Sequence, residues 1–102
     1  MFLSGQVALD ASGNLIGEGD AGGQAEQVFR NLQAVVQACG GSLADIVKLT
    51  VFTTDLAYRP AIGDARSRYF TAGEMPGSTF VVVTSLADPR FLVEIEAVAI
   101  ID

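Results

Sequence analysis

The chain has 102 residues, half of them hydrophobic and 18% charged, with 12 acidic against 6 basic side chains for a net charge of −6. That is one domain of ordinary size, carrying more apolar side chains than a monomer of this length readily hides, so self-association is expected. The acidic balance argues against a nucleic-acid partner and an anionic membrane surface, and one cysteine with no histidine removes an internal disulfide, a Cys/His zinc site and a histidine-based triad.

No metal or other cofactor is expected. The sequence as given shows neither a basic-plus-apolar leader nor an apolar run of membrane-spanning length, which points to a cytoplasmic protein.

Residues 1–9 begin as a strand, with Phe2, Leu3, Val7 and Leu9 around a Ser4-Gly5-Gln6 step that suggests a kink or bulge. Residues 10–14 are a turn, and Leu15-Ile16 adds a short paired segment. Residues 17–23 are a glycine-rich loop lacking the Gly-Lys-Ser/Thr ending of a phosphate loop, and Asp20 is the first cap of the helix that follows. From 24 to 39, Ala25, Val28, Phe29, Leu32, Val35, Val36 and Cys39 keep helical spacing without a miss, and Gly40-Gly41 stops the helix. Cys39 is read as a small core hydrophobe on that stripe, because no histidine exists to activate it.

The next strand spans 45–54. Its row of Val47, Leu49 and Val51 should face the helices, with Ile46, Lys48, Thr50 and Phe52 on the other side of the sheet. Pro60 suits the first turn of a second helix running to about residue 72, with Ile62, Ala65, Tyr69 and Phe70 inward and Arg59, Arg66 and Arg68 solvated. Residues 78–85 alternate as a β-branched strand, and 91–102 form the last one. In that last strand Val93, Ile95, Ala97 and Ala99 make an apolar face, while Glu94 and Glu96 stand among Leu92, Val98 and Ile100 on the other. A carboxylate on such a surface needs water, a cation or strong donors, so these two glutamates mark a wet cleft or a subunit interface.

The element order gives an α+β domain over 1–102, a mixed sheet with two helices on one face. The uncovered face, assigned Phe52, Phe80, Val82, Leu92, Val98 and Ile100 together with Lys48, Thr50, Ser78, Glu94 and Glu96, implies sheet-to-sheet packing between copies with polar clefts at the seams.

Ser4-Gly5-Gln6, the run from Asp45 through Lys48 to Phe52, Asp55-Leu56, Pro76 and the Val93-Glu94-Ile95-Glu96-Ala97 segment together resemble the RidA/YjgF family. The resemblance implies a chorismate-mutase-like fold, a homotrimer whose sheets form an inner barrel, and small-metabolite sites in the clefts between subunits. For the best-known branch it implies hydrolysis of reactive 2-imino or enamine acids to 2-keto acids and ammonia. There an arginine in a Pro-x-Arg-Ser/Thr motif holds the substrate carboxylate, and the first terminal glutamate positions water. Glu94 matches that glutamate, whereas Pro76-Gly77-Ser78-Thr79 puts Ser78 in the arginine's place, as in a divergent branch. A bidentate charged clamp is thereby replaced by a neutral hydrogen bond of roughly 0.5–1.5 kcal/mol. The sequence as given also lacks the Gly-Pro-Tyr segment that precedes this region in relatives and whose tyrosine lines the site.

Two functions follow from the resemblance. One is a deaminase of imines or enamines with Glu94 as proton shuttle and Gly77, Ser78, Thr79 and Phe80 around the ligand. The other is a non-catalytic trimer that takes a neutral or cationic metabolite, with Glu94 as counter-charge. RNA cleavage lacks both an acid–base pair containing histidine and a basic footprint.

Overall fold

A computed structural model describes residues 1–102, the side chain of residue 72 excepted. Strand β1 (Phe2–Gln6) is followed by helix α1 (Ala21–Ala38), strand β2 (Ile46–Thr53), helix α2 (Arg59–Tyr69) and strands β3 (Gly77–Val82) and β4 (Val93–Ala99). The sheet order is β1-β4-β2-β3, with β4 antiparallel to both neighbours and β3 parallel to β2. Parallel pairing requires a crossover, and α2 supplies it. Both helices cover one face of the mixed sheet, as expected. Among the described residues no helix is long and apolar enough to cross a membrane.

Helix α1 starts directly after the expected cap, Asp20, so residues 21–23, read as the end of a loop, are its first turn. The Asp20 carboxylate accepts the Gly23 N–H at 3.1 Å, occupying one of the donors that a helix N-terminus leaves free. Ala25, Val28, Phe29, Leu32 and Val36 are wholly buried against Leu49, Val93 and Ile95 of the sheet. Gly40, at φ +87°, turns the chain away. The stop at Gly40 is the expected one, but the last helical residue is Ala38, so Cys39 is the C-cap and is exposed rather than buried.

Two irregularities set the phase of the sheet. The pairing of β1 with β4 slips between Leu3 and Gln6, which is the bulge expected at Ser4-Gly5. A second slip, between Ile46 and Lys48, was not expected and reverses the start of β2: Ile46 is buried in the core, and Val47 is 44% exposed. Beyond it, Leu49 and Val51 face the helices and Lys48, Thr50 and Phe52 the open side, as anticipated.

Buried amides fasten the loops to this frame. Gln24 is fully buried; its Nε2 donates to Arg90 O at 2.9 Å and Gly17 O at 3.2 Å, and its Oε1 accepts the Leu92 N–H at 2.8 Å. Asn31 Nδ2 donates to the Val7 and Leu9 carbonyls. Leu9 and Leu15 form the short paired segment anticipated there.

Candidate functional site

The register lays out the uncovered face of the sheet in rows. Phe2, Val98, Lys48 and Gly77 make the first, Glu96, Thr50 and Thr79 the second, and Glu94, Phe52 and Val81 the third. Phe2 is 87% exposed here, so this face presents apolar surface and carboxylates together. Glu94 is half-buried and Glu96 exposed; among the described residues neither forms an ion pair. Lys48 Nζ donates to Thr79 Oγ1, and Arg90 is bound to Asp88 at 2.9 Å. Within one chain, therefore, neither base answers the two glutamates. Glu94 rests against β1, where Gly5 leaves room for its carboxylate.

Ser78 and Phe80 are not on this face. Ser78 pairs with Leu49 and Phe80 with Val51, and partners in one row of a sheet point to the same side. Both therefore lie on the helix side, opposite to the assignment made from the sequence. Of the five expected site residues, Glu94, Gly77 and Thr79 share the open face, and Ser78 and Phe80 are separated from them by the sheet.

On the helix side Ser78 and Phe80 border a cavity of about 120 Å³, walled by Val51 below and by Arg59, Ile62, Gly63 and Arg66 of α2 above. The four helix positions are spaced i, i+3, i+4 and i+7, which is one helical face. The Arg59 guanidinium stands over the Phe80 ring, 5.5 Å from its centroid. Arg66 Nε is buried without a hydrogen-bond partner, an arrangement that costs about 1–3 kcal/mol. Neither arginine forms an ion pair among the described residues. Of the three arginines read as solvated, Arg66 is thus partly enclosed, and Arg68 is engaged with Glu26 at 3.0 Å. The i, i+7 spacing of Arg59 and Arg66 was visible in the sequence, but the cavity they share is made by the packing of α2 on β3.

Glu26 joins the two helices. It accepts from Tyr69 Oη at 2.8 Å and from Arg68, and the Tyr69 hydrogen bond, ahead of the arginine, holds its carboxyl below the usual range. Burial, then the same hydrogen bond, raises the Tyr69 phenol. Asp88, half-buried, is lowered to about 2 by its hydrogen bonds from Arg90. Among the described residues no group of three His, Cys, Asp or Glu side chains is placed to hold a metal ion.

A four-stranded mixed sheet, helices on one side only and an uncovered face bearing carboxylates define an α+β domain of the RidA type. The chain belongs to the RidA/YjgF family: the family model described as Endoribonuclease L-PSP matches residues 1–101. Protein DfrA of Myxococcus xanthus is 41% identical over 97% of this chain and 74% of its own length. The 2-iminobutanoate/2-iminopropanoate deaminase of Dermatophagoides farinae is 32% identical over 100% of this chain and 78% of its own. The crystal structure of RidA from an Antarctic Psychrobacter species superposes with a TM-score of 0.90 at 36% identity, covering 98% of this chain and 79% of that one.

Proposed function

We propose that the chain is a cytoplasmic RidA-like protein that associates as a homotrimer through its uncovered sheet face and hydrolyses small reactive imines or enamines in the clefts between subunits. The observation that carries this is the state of that face: Phe2, Phe52, Val81 and Val98 around two glutamates that form no ion pair among the described residues. Apolar surface of this kind favours association, and a carboxylate enclosed by it favours a wet crevice.

In the cleft the Glu94 carboxylate takes a proton from water as the water oxygen bonds to the imine carbon. It returns that proton to nitrogen to give the carbinolamine; the same carboxylate then carries the hydroxyl proton to nitrogen as the C–N bond breaks, so the carbonyl forms and ammonia leaves with a keto product. An enamine first takes a proton at carbon and gives one up at nitrogen to become the imine. Thr79, next to Lys48, and the Gly77 backbone lie on the same face and supply donors for the substrate. Support by kinship comes from the relative named as a deaminase.

A second reading, a trimer that binds a neutral or cationic metabolite without turnover, rests on Ser78 standing in place of the clamp arginine; Ser78 and Phe80 lie across the sheet from Glu94, so no ligand touches all three within one chain. RNA cleavage fits poorly with 12 acidic against 6 basic residues and no histidine. The experiment is ammonia release from 2-iminopropanoate generated in situ, together with sedimentation. Loss of release in Glu94→Gln with the trimer intact upholds the deaminase. An unchanged rate in that variant refutes the assignment of Glu94, and a monomer refutes the cleft.

A further inference from the structure

Among the described residues only two polar side chains are fully buried, Gln24 of α1 and Thr53 of β2, and both are bound to the same residue. Thr53 Oγ1 donates to the Leu92 carbonyl at 2.7 Å, and Gln24 Oε1 accepts the Leu92 N–H at 2.8 Å. Leu92 stands two residues before Glu94. We propose that Thr53 and Gln24 are positioning residues for Glu94: they set where β4 enters the sheet and so where the Glu94 carboxylate stands. The inference deepens the proposed reaction and rests on Glu94 as its proton carrier.

The first support is the cost of the arrangement. Leu49, Val51 and Thr53 form the buried row of β2, where a hydroxyl is unfavourable unless it is hydrogen-bonded. The bond it makes is to a carbonyl that the sheet itself grips weakly, since the Thr54 N–H reaches Leu92 O only at 3.4 Å. Pairing of β2 with β4 ends at Thr53 and Val93. Leu92 is therefore the first residue beyond the ladder, and buried side chains hold both of its backbone groups. Gln24 Nε2 also donates to the Arg90 carbonyl at 2.9 Å, so the returning end of the connection 83–92 is tied at three backbone groups.

The second is the tightness of the place that Glu94 occupies. It pairs with Phe52, next to Thr53, on one side and lies against Gly5 of β1 on the other. A β4 entrance released from Leu92 shifts along β2, and the carboxylate moves with it. A misplacement of about 1 Å in a reacting group costs on the order of 10²-fold in rate.

The test is steady-state kinetics of the full chain with 2-iminopropanoate generated in situ, beside the carbon NMR resonance of the Glu94 carboxyl in the substrate-free protein. Thr53→Val keeps the side-chain shape and removes the hydroxyl. It should lower kcat at least about tenfold with KM within about twofold of wild type, and it should move the Glu94 resonance. Gln24→Met should do the same. Thr53→Ser restores the donor and should return kcat to within about threefold and the resonance to its wild-type position. Phe29→Leu weakens the core but leaves Leu92 held, so it should lower the melting temperature and leave both readouts as in wild type. Wild-type kcat in Thr53→Val, a change confined to KM, or an equal loss of kcat in Phe29→Leu would overturn the proposal. If the wild-type chain releases no ammonia, the reaction assigned to Glu94 fails, and the resonance alone decides. A resonance moved in Thr53→Val and unmoved in Phe29→Leu upholds the positioning, and any other pattern overturns it.

Discussion

The Glu94 carboxylate lies against the backbone of Gly5, so close that a Cβ built on Gly5 would fall 2.5 Å from Glu94 Oε2 and 2.9 Å from its carboxyl carbon. Gly5 has no positive φ; its lack of a side chain serves a close approach rather than a turn. What must give way in Gly5→Ala is the end of a flexible side chain, not the strand. That variant should keep its unfolding free energy in urea to within about 1 kcal/mol of wild type while losing activity at Glu94 by about 10²-fold. An active Gly5→Ala protein would separate the glycine from the chemistry.

Gln24 is one side chain holding three backbone groups from two distant segments. Gln24→Ala strands the Leu92 N–H and the Arg90 carbonyl and should cost about 2–3 kcal/mol. Hydrogen exchange at the Leu92 amide should accelerate before that of residues in the middle of β4. Equal protection in variant and wild type would show that the bond contributes nothing.

Phe29 stacks on Tyr69 at 5.6 Å and meets Phe70 edge-on at 6.0 Å, so it joins α1 to the end of α2 from a fully buried position. Phe29→Ala should lower stability by about 3–5 kcal/mol, read as a lower denaturant midpoint at unchanged m-value.

Glu26 gives an acid dependence with a definite sign. Its carboxyl is lowered in the folded chain, chiefly by the Tyr69 hydrogen bond and then by Arg68, so its stabilisation is present above its unfolded value, near roughly pH 4.3. It is lost as pH falls through the lowered folded value. Asp88, at about 2, acts in the same direction further into acid. In Glu26→Gln the drop in stability between neutral and acid pH should be smaller than in wild type. An unchanged drop would place the acid sensitivity elsewhere.

Much of the architecture was legible because α1 and β4 each carry an unbroken apolar period. Asp20 and Gly40 bracket α1, and Val93, Ile95, Ala97 and Ala99 are all buried where alternation puts them. The phase of β3 was not legible. The run Phe80-Val81-Val82-Val83 is apolar in both registers, so only its pairing with Leu49 and Val51 decides that Ser78 and Phe80 point toward α2. Likewise, nothing in Ile46-Val47 betrays the slip that buries one and exposes the other. Glu94 was found because a carboxylate interrupts a greasy strand. Arg59 and Arg66 were overlooked because arginine on a helix is ordinarily solvated.

Every side chain around the cationic cavity, from Val51 to Phe80, is supplied by the single unit β2-α2-β3, whereas Gly5 and Glu94 belong to the other two strands. The cavity behind the sheet and the Gly5–Glu94 contact on its front are therefore written in different stretches of the gene. Exchanging that contiguous cassette between relatives would change the cavity together with Lys48, Thr50, Phe52 and Thr79 on the front, and would leave the two residues of the Gly5–Glu94 contact as they are.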